Sequence, residues 1–325
     1  MKLVAPLDAD TADNLSEFWK NIFGSETDPD VPKHVFTGSE SMHNSNVVYL
    51  EKENGSIAST CGVTKPLKIS SIGGFGEVAT DPSFRKKGLA TKLCEIAVND
   101  FRKDGGEALF LGTGNPAAAR IYHRLGWRKI PGTSVMVNIT NGNSPEEYLV
   151  QRFSTFDEED WSVDTATPAA RIPIIPLLVN PHDWHVLDAN IGMYSTRYDT
   201  QHSCMGLYRR YSYINMDSKG EWFTSSTKDG RIVGISSAKL INKDIGQIDG
   251  FTNLRFQNCW DQLMNEAIKW VSAKGVKRIS SKISVEDEEK QAKFSQIGFS
   301  LSSKKGKFEY ACREVDSLEF VMDVC

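Results

Sequence analysis

Apolar and polar positions alternate along this chain in two rhythms, a period of two over short runs and a period near 3.6 over longer ones. Together these predict a mixed α/β protein. KLVAPL, from Lys2, reads as a strand, and TADNLSEFWKNIFG as a helix with Asp10 or Thr11 near its N-cap and Gly24 at its end. VVYLEKENGSIASTCGV reads as a hairpin turning at Asn54-Gly55, a pair suited to the positive φ angles of a tight hairpin turn. GGFGEVAT is a further strand. LATKLCEIAVNDFRKDGG has a helical stripe of Leu89, Leu93, Ile96, Ala97 and Phe101, and EALFLGT follows as a strand. NPAAARIYHRLGW is a helix with Asn115 as cap, Pro116 in the first turn and Gly126 as stop.

The pattern weakens between about positions 140 and 170, where NITNGNSPEEY, FDEED and TATPAARIP replace periodic runs. This predicts a domain over 1–150, a linker over 151–169 and a second domain over 170–325. The second part repeats the plan of the first. KDGRIVGISSAKL is a hairpin arm, IGQIDGF a strand, LMNEAIKWVSAKG a helix, VKRISSKI a strand and EDEEKQAKFSQIGF a helix ending in glycine. An offset of 170 places Arg85 on Arg255, Leu93 on Leu263, Ala97 on Ala267 and Gly105 on Gly275. An offset of 172 places Tyr122, Leu125, Gly126 and Trp127 on Phe294, Ile297, Gly298 and Phe299. Two copies of one fold account for this order of strands and stop glycines.

Composition narrows the function. The chain has 325 residues, a formal net charge of −4 and ordinary apolar and charged fractions. Two soluble domains fit that length, and the acidic balance argues against a nucleic-acid partner, which needs clustered Lys and Arg. The six cysteines include no C-x-x-C pair, so reduced structural thiols and a cytoplasmic location are expected. No apolar run approaches the ~20 residues of a membrane span, and the N-terminus turns acidic too early for a secretory signal.

One basic stretch stands out in this acidic chain. RKKGLA, Arg85 to Ala90, joins a strand to an amphipathic helix. A helix entered through such a turn leaves its first N–H groups and the positive end of its dipole free for an anion. Gly88 would let a phosphate approach the backbone, Ala90 keeps crowding low, and Arg85, Lys86 and Lys87 add charge. The cradle suits a pyrophosphate.

VATDPSFRKKGLATKLCEIA followed by LGTGNPAAARIYHRLGW resembles the cofactor motif and the following motif of the GNAT superfamily of N-acetyltransferases. The resemblance is specific over about 72–130 and looser over the rest of the first domain. It implies two GNAT-like domains, each a mixed, mostly antiparallel twisted sheet flanked by helices, the first catalytic and the second degenerate. It further implies that Val78, Ala79 and Thr80 pair with the pantetheine arm of acetyl-CoA. Arg85 and the amides of Lys86, Lys87, Gly88, Leu89, Ala90 and Thr91 would hold the pyrophosphate. Asn115 would bond the cofactor, and Tyr122 would lie near the thioester sulfur. No metal is implied.

Acyl transfer from a thioester to an amine needs an uncharged nitrogen, a polarised carbonyl and a proton for the departing thiolate. A strand amide near Val78 is the candidate oxyanion donor. A tyrosine hydroxyl, with a reference pKa of ~10, is a competent acid toward a thiolate of ~8.5, so Tyr122 is the candidate acid; the alternative is a half-buried packing aromatic. Glu77 is the first candidate base, although strand alternation turns it to the face opposite Val78. The positions where family members often carry a carboxylate read Gly73-Gly74 here, which leaves relay through water open. In the second copy RKKGLA becomes RFQNCW, with Trp260 where Ala90 gives room and Phe294 where Tyr122 carries its hydroxyl.

Other constellations carry less. His182 and His185 in HDWH lack a third ligand at metal spacing and read as loop or cap residues. GGFGEV precedes no helix and is no dinucleotide fingerprint. SETDPD, Ser25 to Asp30, would border the acceptor site by the resemblance and draw a cationic amine; otherwise it is a solvated acidic loop. The expectation is an acetyl-CoA-dependent transferase acting on a primary amine of a small cationic molecule by direct attack, as a monomer or homodimer. The alternatives are transfer to a protein or peptide amine, and a non-catalytic acyl-CoA-binding module.

Overall fold

The computed structural model describes residues 1–24, 33–140, 142, 144–154 and 161–324. SETDPD and FDEED lie outside them. Two seven-stranded sheets carry the fold. The first comprises β1 (Lys2–Val4), β2 (Asn44–Glu53), β3 (Ser56–Pro66), β4 (Ile72–Thr80), β5 (Ala108–Gly112), β6 (Arg128–Lys129) and β7 (Val135–Ile139). Its order is β1-β2-β3-β4-β5-β7-β6, antiparallel except for β4 beside β5. Helices α1 (Ala9–Phe23), α2 (Leu89–Lys103), α3 (Pro116–Arg124) and α4 (Pro145–Ser154) accompany it.

The second sheet comprises β8 (Trp161–Thr165), β11 (Gly220–Thr227), β12 (Ile232–Leu240), β13 (Ile245–Thr252), β14 (Arg278–Ser284), β15 (Ser300–Tyr310) and β16 (Arg313–Asp323). Its order, β8-β11-β12-β13-β14-β16-β15, matches the first sheet strand for strand, and its one parallel pair, β13 with β14, falls at the equivalent place. A two-stranded ribbon of β9 (Val186–Asp188) and β10 (Met193–Tyr194) stands apart. The remaining helices are α5 (Ile174–Val179), α6 (Gly206–Ser212), α7 (Trp260–Ser272) and α8 (Glu288–Gln296).

Alternation along the first sheet separates two cores. Tyr49, Cys61, Phe75, Leu109 and Met136 pack on α2 and Tyr122, while Leu50 and Ala79 pack on α1. Ile72, Phe110 and Val137, also on the α1 face, join a core that continues into the second half through Ile172, Ile175 and Leu207. The two sheets therefore share one hydrophobic interior.

Local sequence explains most elements. The hairpin turns at Asn54 and Gly55, with φ of 50° and 83°. Two details differ from the sequence reading. The cap of α1 is Asp8, whose Oδ1 accepts from Thr11 N at 2.8 Å, because a carboxylate just ahead of the first helical residue reaches the free N–H groups better than Asp10 within the helix. Ile96 is 41% exposed, and Cys94 and Val98 take the buried positions of α2, because the helix is rolled toward β3. Within the segment 151–169, β8 pairs with β11 at the edge of the second sheet.

His182 and His185 lie in the loop before β9, as the sequence reading has them, and both are buried. His182 Nε2 bonds Leu177 O at 2.9 Å, and burial pulls its pKa down from 6.5 to about 4. His185 lies between the Tyr310 hydroxyl (2.7 Å) and Glu286 (2.9 Å). Among the described residues no group of His, Cys, Asp and Glu is arranged to hold a metal.

Candidate active site

β4 and β5 pair only over Ile72↔Ala108, Gly73↔Leu109 and Gly74↔Phe110, and then part. The parting has a cause in β4. One residue of β3, Cys61, opposes two of β4, Glu77 and Val78, a bulge that gives Glu77 a φ of 51° and is held by Thr60 Oγ1 donating to Glu77 O at 2.7 Å. The bulged strand bends away, and its last residues lean on α1 through Ala79.

A groove of about 630 Å³ opens between the parted strands on the α2 face. It is lined by Val78, Ala79, Thr80, Arg85, Lys86, Gly88, Leu89, Ala90, Thr91, Asn115 and Tyr122, so of the sequence-predicted residues all but Lys87 and Glu77 meet there. Lys87 instead lays its ammonium over the Phe84 ring at 4.8 Å. The sequence reading missed Ile22, Phe23 and Ile121, which add an apolar wall. Phe23 is 45% exposed at the end of α1, and no periodic signal distinguishes such a residue from a frayed helix end.

The turn before α2 is built for N–H exposure. Asp81 caps the preceding short turn by accepting from Ser83 N at 2.8 Å. Lys86 and Gly88 both take left-handed conformations, with φ of 64° and 78°, which curls successive amides into a concavity at the helix start. No side chain caps α2, so its first amides remain open to a ligand. A Cβ at Gly88 would meet nothing within 4 Å; the glycine is there for its backbone conformation. Arg85 is drawn back, with Nε donating to Thr80 O at 3.1 Å.

Asn115 caps α3, its Oδ1 accepting from Ala117 N at 2.9 Å and Ala118 N at 3.4 Å. Its carbonyl is thus committed to the helix, and only its amide group is left to face a ligand. Tyr122 is 7% exposed and packs against Trp127 at 5.8 Å between ring centres. Burial first, and then the neighbouring Cys94 and Cys61, raise its hydroxyl well above 10.

Glu77 turns to the other face. Its Oε2 lies over Gly62 of β3, where a Cβ would come within 2.6 Å. Loss of water raises its carboxyl above 4.5, and the Arg171 guanidinium opposes that rise. That face is covered by the second half. Arg171 forms a buried ion pair with Glu40, and its guanidinium stacks 4.9 Å from the Tyr208 ring. A Cβ at Gly74 would overlap Met205 Sδ and reach 2.6 Å from Ile172 Cδ1, which explains why glycine stands where a carboxylate was sought.

The equivalent cleft of the second half is filled by the chain itself. β13 and β14 pair over Ile245↔Arg278 to Gln247↔Ser280 and part in the same way. The His185–Ala189 strand occupies the gap: His185 N and Val186 N donate to Asp287 at 2.6 and 3.0 Å, and Ala189 N to Asp249 at 2.6 Å. Lys290 Nζ donates to Val186 O and Leu187 O and pairs with Asp249 at 2.6 Å, both side chains fully buried. Trp260 packs edge-on against Trp184 and Phe294 where the first half has its open groove.

Residues 12–127 match the family described as acetyltransferase (GNAT) family, and the chain carries a GNAT N-acetyltransferase domain, of a family that uses acetyl-CoA. No curated protein matches the chain. Among solved structures, it is similar to a GNAT-family acetyltransferase from Streptococcus pneumoniae (16% identity, 51% of this chain and 100% of that one, TM-score 0.38). It is also similar to a probable acetyltransferase from Staphylococcus epidermidis (15% identity, 51% and 99%, TM-score 0.41). A GNAT acetyltransferase from Elizabethkingia anophelis with acetyl-CoA bound matches at 14% identity, over 51% of this chain and 99% of that one, with a TM-score of 0.35. No helix among the described residues is long and apolar enough to cross a membrane.

Proposed function

We propose that the first half, residues 1–150, transfers an acetyl group from acetyl-CoA to a primary amine of a small cationic molecule, by direct attack in a ternary complex. The observation that carries this reading is the placement of Tyr122 and Glu77 on opposite faces of the notch between β4 and β5. The donor lies on the α2 face, its pyrophosphate on the amides from Lys86 to Thr91 and its pantetheine along Val78–Thr80. The Asn115 amide bonds the arm from across the groove. The amine enters from the other face, where Glu77 accepts its proton directly or through water. A carboxyl raised by burial is a stronger base than an exposed one, which suits this task.

The Val78 amide stabilises the developing oxyanion. Tyr122 then donates a hydrogen bond to the departing thiolate; burial raises its pKa, which keeps it protonated at neutral pH and makes it a weaker acid than free tyrosine. The cationic acceptor follows from the carboxylate on that face and from SETDPD. A small molecule fits this reading better than a protein substrate: Arg171, Met205 and Tyr208 cover part of that face, and the cleft beside them, lined by Glu40, Arg171 and Tyr208, holds about 470 Å³.

The second half, whose sheet takes its edge strand β8 from within 151–169 and the rest from 170–325, serves as a non-catalytic copy. Its own strand in the cleft and Trp260 leave no room for a cofactor. Buried free thiols at Cys61, Cys94, Cys204 and Cys259 fit work in the reducing cytoplasm. The test is thiol release from acetyl-CoA with a panel of small primary amines. A rate that needs both amine and Tyr122 supports transfer; acetyl-CoA binding with no amine-dependent turnover would mean a binding module instead.

A further inference from the structure

The peptide unit between Glu77 and Val78 is gripped by a side chain of the neighbouring strand. Where Cys61 of β3 opposes two residues of β4, the ladder is short of a donor, and Thr60 Oγ1 supplies one to Glu77 O at 2.7 Å. Thr60 Oγ1 in turn accepts from Trp19 Nε1 of α1 at 2.9 Å. Both side chains are buried, and Trp19 packs on Phe36 with 5.4 Å between ring centres. The indole N–H takes up a lone pair of the hydroxyl oxygen, which leaves the single hydroxyl proton to go to Glu77 O. A relay thus runs from α1 through β3 to the main chain of β4. It ends on the residue with the strained φ of 51°, a conformation that persists only where neighbours hold it.

The consequence falls on the other end of the same peptide unit. Thr60 reaches α1, while Cys61 beside it packs on the α2 side, so the Thr60 hydroxyl draws Glu77 O toward the α1 face and toward β3. In a planar trans peptide the C=O and the N–H point in opposite directions. The Val78 N–H is therefore turned to the α2 face and toward β5, into the groove that Val78 lines.

We propose that Thr60 is a positioning residue for acyl transfer: by fixing Glu77 O, it aims the Val78 N–H at the thioester carbonyl. This rests on the oxyanion role given to that amide above. An oxyanion donor acts through a direction set before the reaction begins, because a dipole that must turn during the reaction stabilises the developing charge far less. Thr60 itself lies outside the groove and touches no donor atom, so its loss leaves the phosphate turn and the groove walls as they are.

Infrared spectra of bound acetyl-CoA, isotope-labelled at the acetyl carbonyl, test this without knowledge of the acceptor, with calorimetry of the same complexes beside them. In the wild type the carbonyl stretch is expected below that of free acetyl-CoA, as for any carbonyl that accepts a hydrogen bond. Thr60→Val keeps the shape and removes the hydroxyl; the stretch is expected to return to the free position with donor affinity within about twofold. Thr60→Ser keeps the hydroxyl and is expected to keep the wild-type shift. A packing role would reverse that order, since valine preserves the volume better than serine. Trp19→Phe, which lets the hydroxyl turn away, is expected to give an intermediate shift and carries the test if Thr60→Val does not fold. A full shift that survives in the variant carrying the test, or loss of donor binding in place of the shift, would overturn the positioning role and leave the donor groove standing. Donor bound by the wild type without any shift would remove the Val78 amide from its role, and Thr60 with it. Failure of the wild type to bind acetyl-CoA would overturn the donor groove and both roles together.

Discussion

Arg171 and Glu40, 131 positions apart, meet in a buried, two-pronged ion pair: Arg171 Nε donates to Glu40 Oε1 and Oε2 at 3.1 and 2.9 Å, and Nη2 donates to Oε1. Asn44 ties the pair further, its Nδ2 donating to Glu40 Oε2 at 3.0 Å and to Pro168 O at 2.8 Å. Removing one partner strands the other charge in the interior. Arg171→Ala is expected to lower unfolding stability by about 3–5 kcal/mol, whereas the double variant Arg171→Met with Glu40→Leu, which removes both charges of the pair, should lose much less. Urea unfolding of the three proteins checks this. Equal losses in the single and double variants would mean that packing, not charge, is at stake.

Glu77 carries a pH prediction. Its carboxyl is raised in the folded protein, so its contribution to stability is present below the unfolded value near 4.5 and is lost as pH rises through the folded value. Glu77→Gln should therefore be no less stable than wild type at pH 8. Transfer should fall about 100-fold, and the acid limb of the kcat/KM profile, placed above 4.5 in the wild type, should vanish. An unchanged limb in the glutamine variant would remove Glu77 from the base role.

Tyr122→Phe keeps the ring against Trp127 and removes only the hydroxyl. Donor affinity should stay within about twofold, and the transfer rate should drop by about 10²–10⁴. Loss of donor affinity instead of rate would place Tyr122 among packing residues.

His182 predicts acid sensitivity from the second half. Its ring is fully buried, edge-on to Phe251 with 5.0 Å between ring centres, and its pKa is pulled down to about 4. Below 6.5 the unfolded chain takes up a proton that the folded one refuses. Stability is therefore complete above 6.5 and falls toward pH 4, by roughly 3 kcal/mol at the lower end. Urea midpoints between pH 7 and 4.5, compared with those of His182→Gln, read this term; identical slopes in both proteins would contradict it.

Much of the candidate site could be read in the sequence because it is local. RKKGLA, Asn115 and Tyr122 are set by adjacent backbone signals: a turn, a helix start and a cap. The repeat was legible for the same reason, since Gly126 and Gly298 both stop helices at a φ of 97°. What escaped is non-local. Nothing near Gly74 in sequence announces Met205, and nothing near Glu40 announces Arg171, because those contacts exist only once two halves share one interior. The His185–Ala189 plug was equally hidden: its hydrogen bonds reach Asp249 and Asp287, 60 to 102 positions away. Ile96 was misplaced because a helical stripe fixes a face only to within the roll of the helix on its sheet.

We propose that the left-handed turn at Lys86–Gly88 opens a single acetyl-CoA site in the first half. Calorimetric titration of the full chain with acetyl-CoA, beside Gly88→Glu, tests it most directly. Glutamate must adopt a φ of 78° there and brings a negative charge to the mouth of the groove. One site per chain is expected in the wild type and none in the variant, with the variant still folded. Binding that survives Gly88→Glu, or two sites per chain, would contradict it.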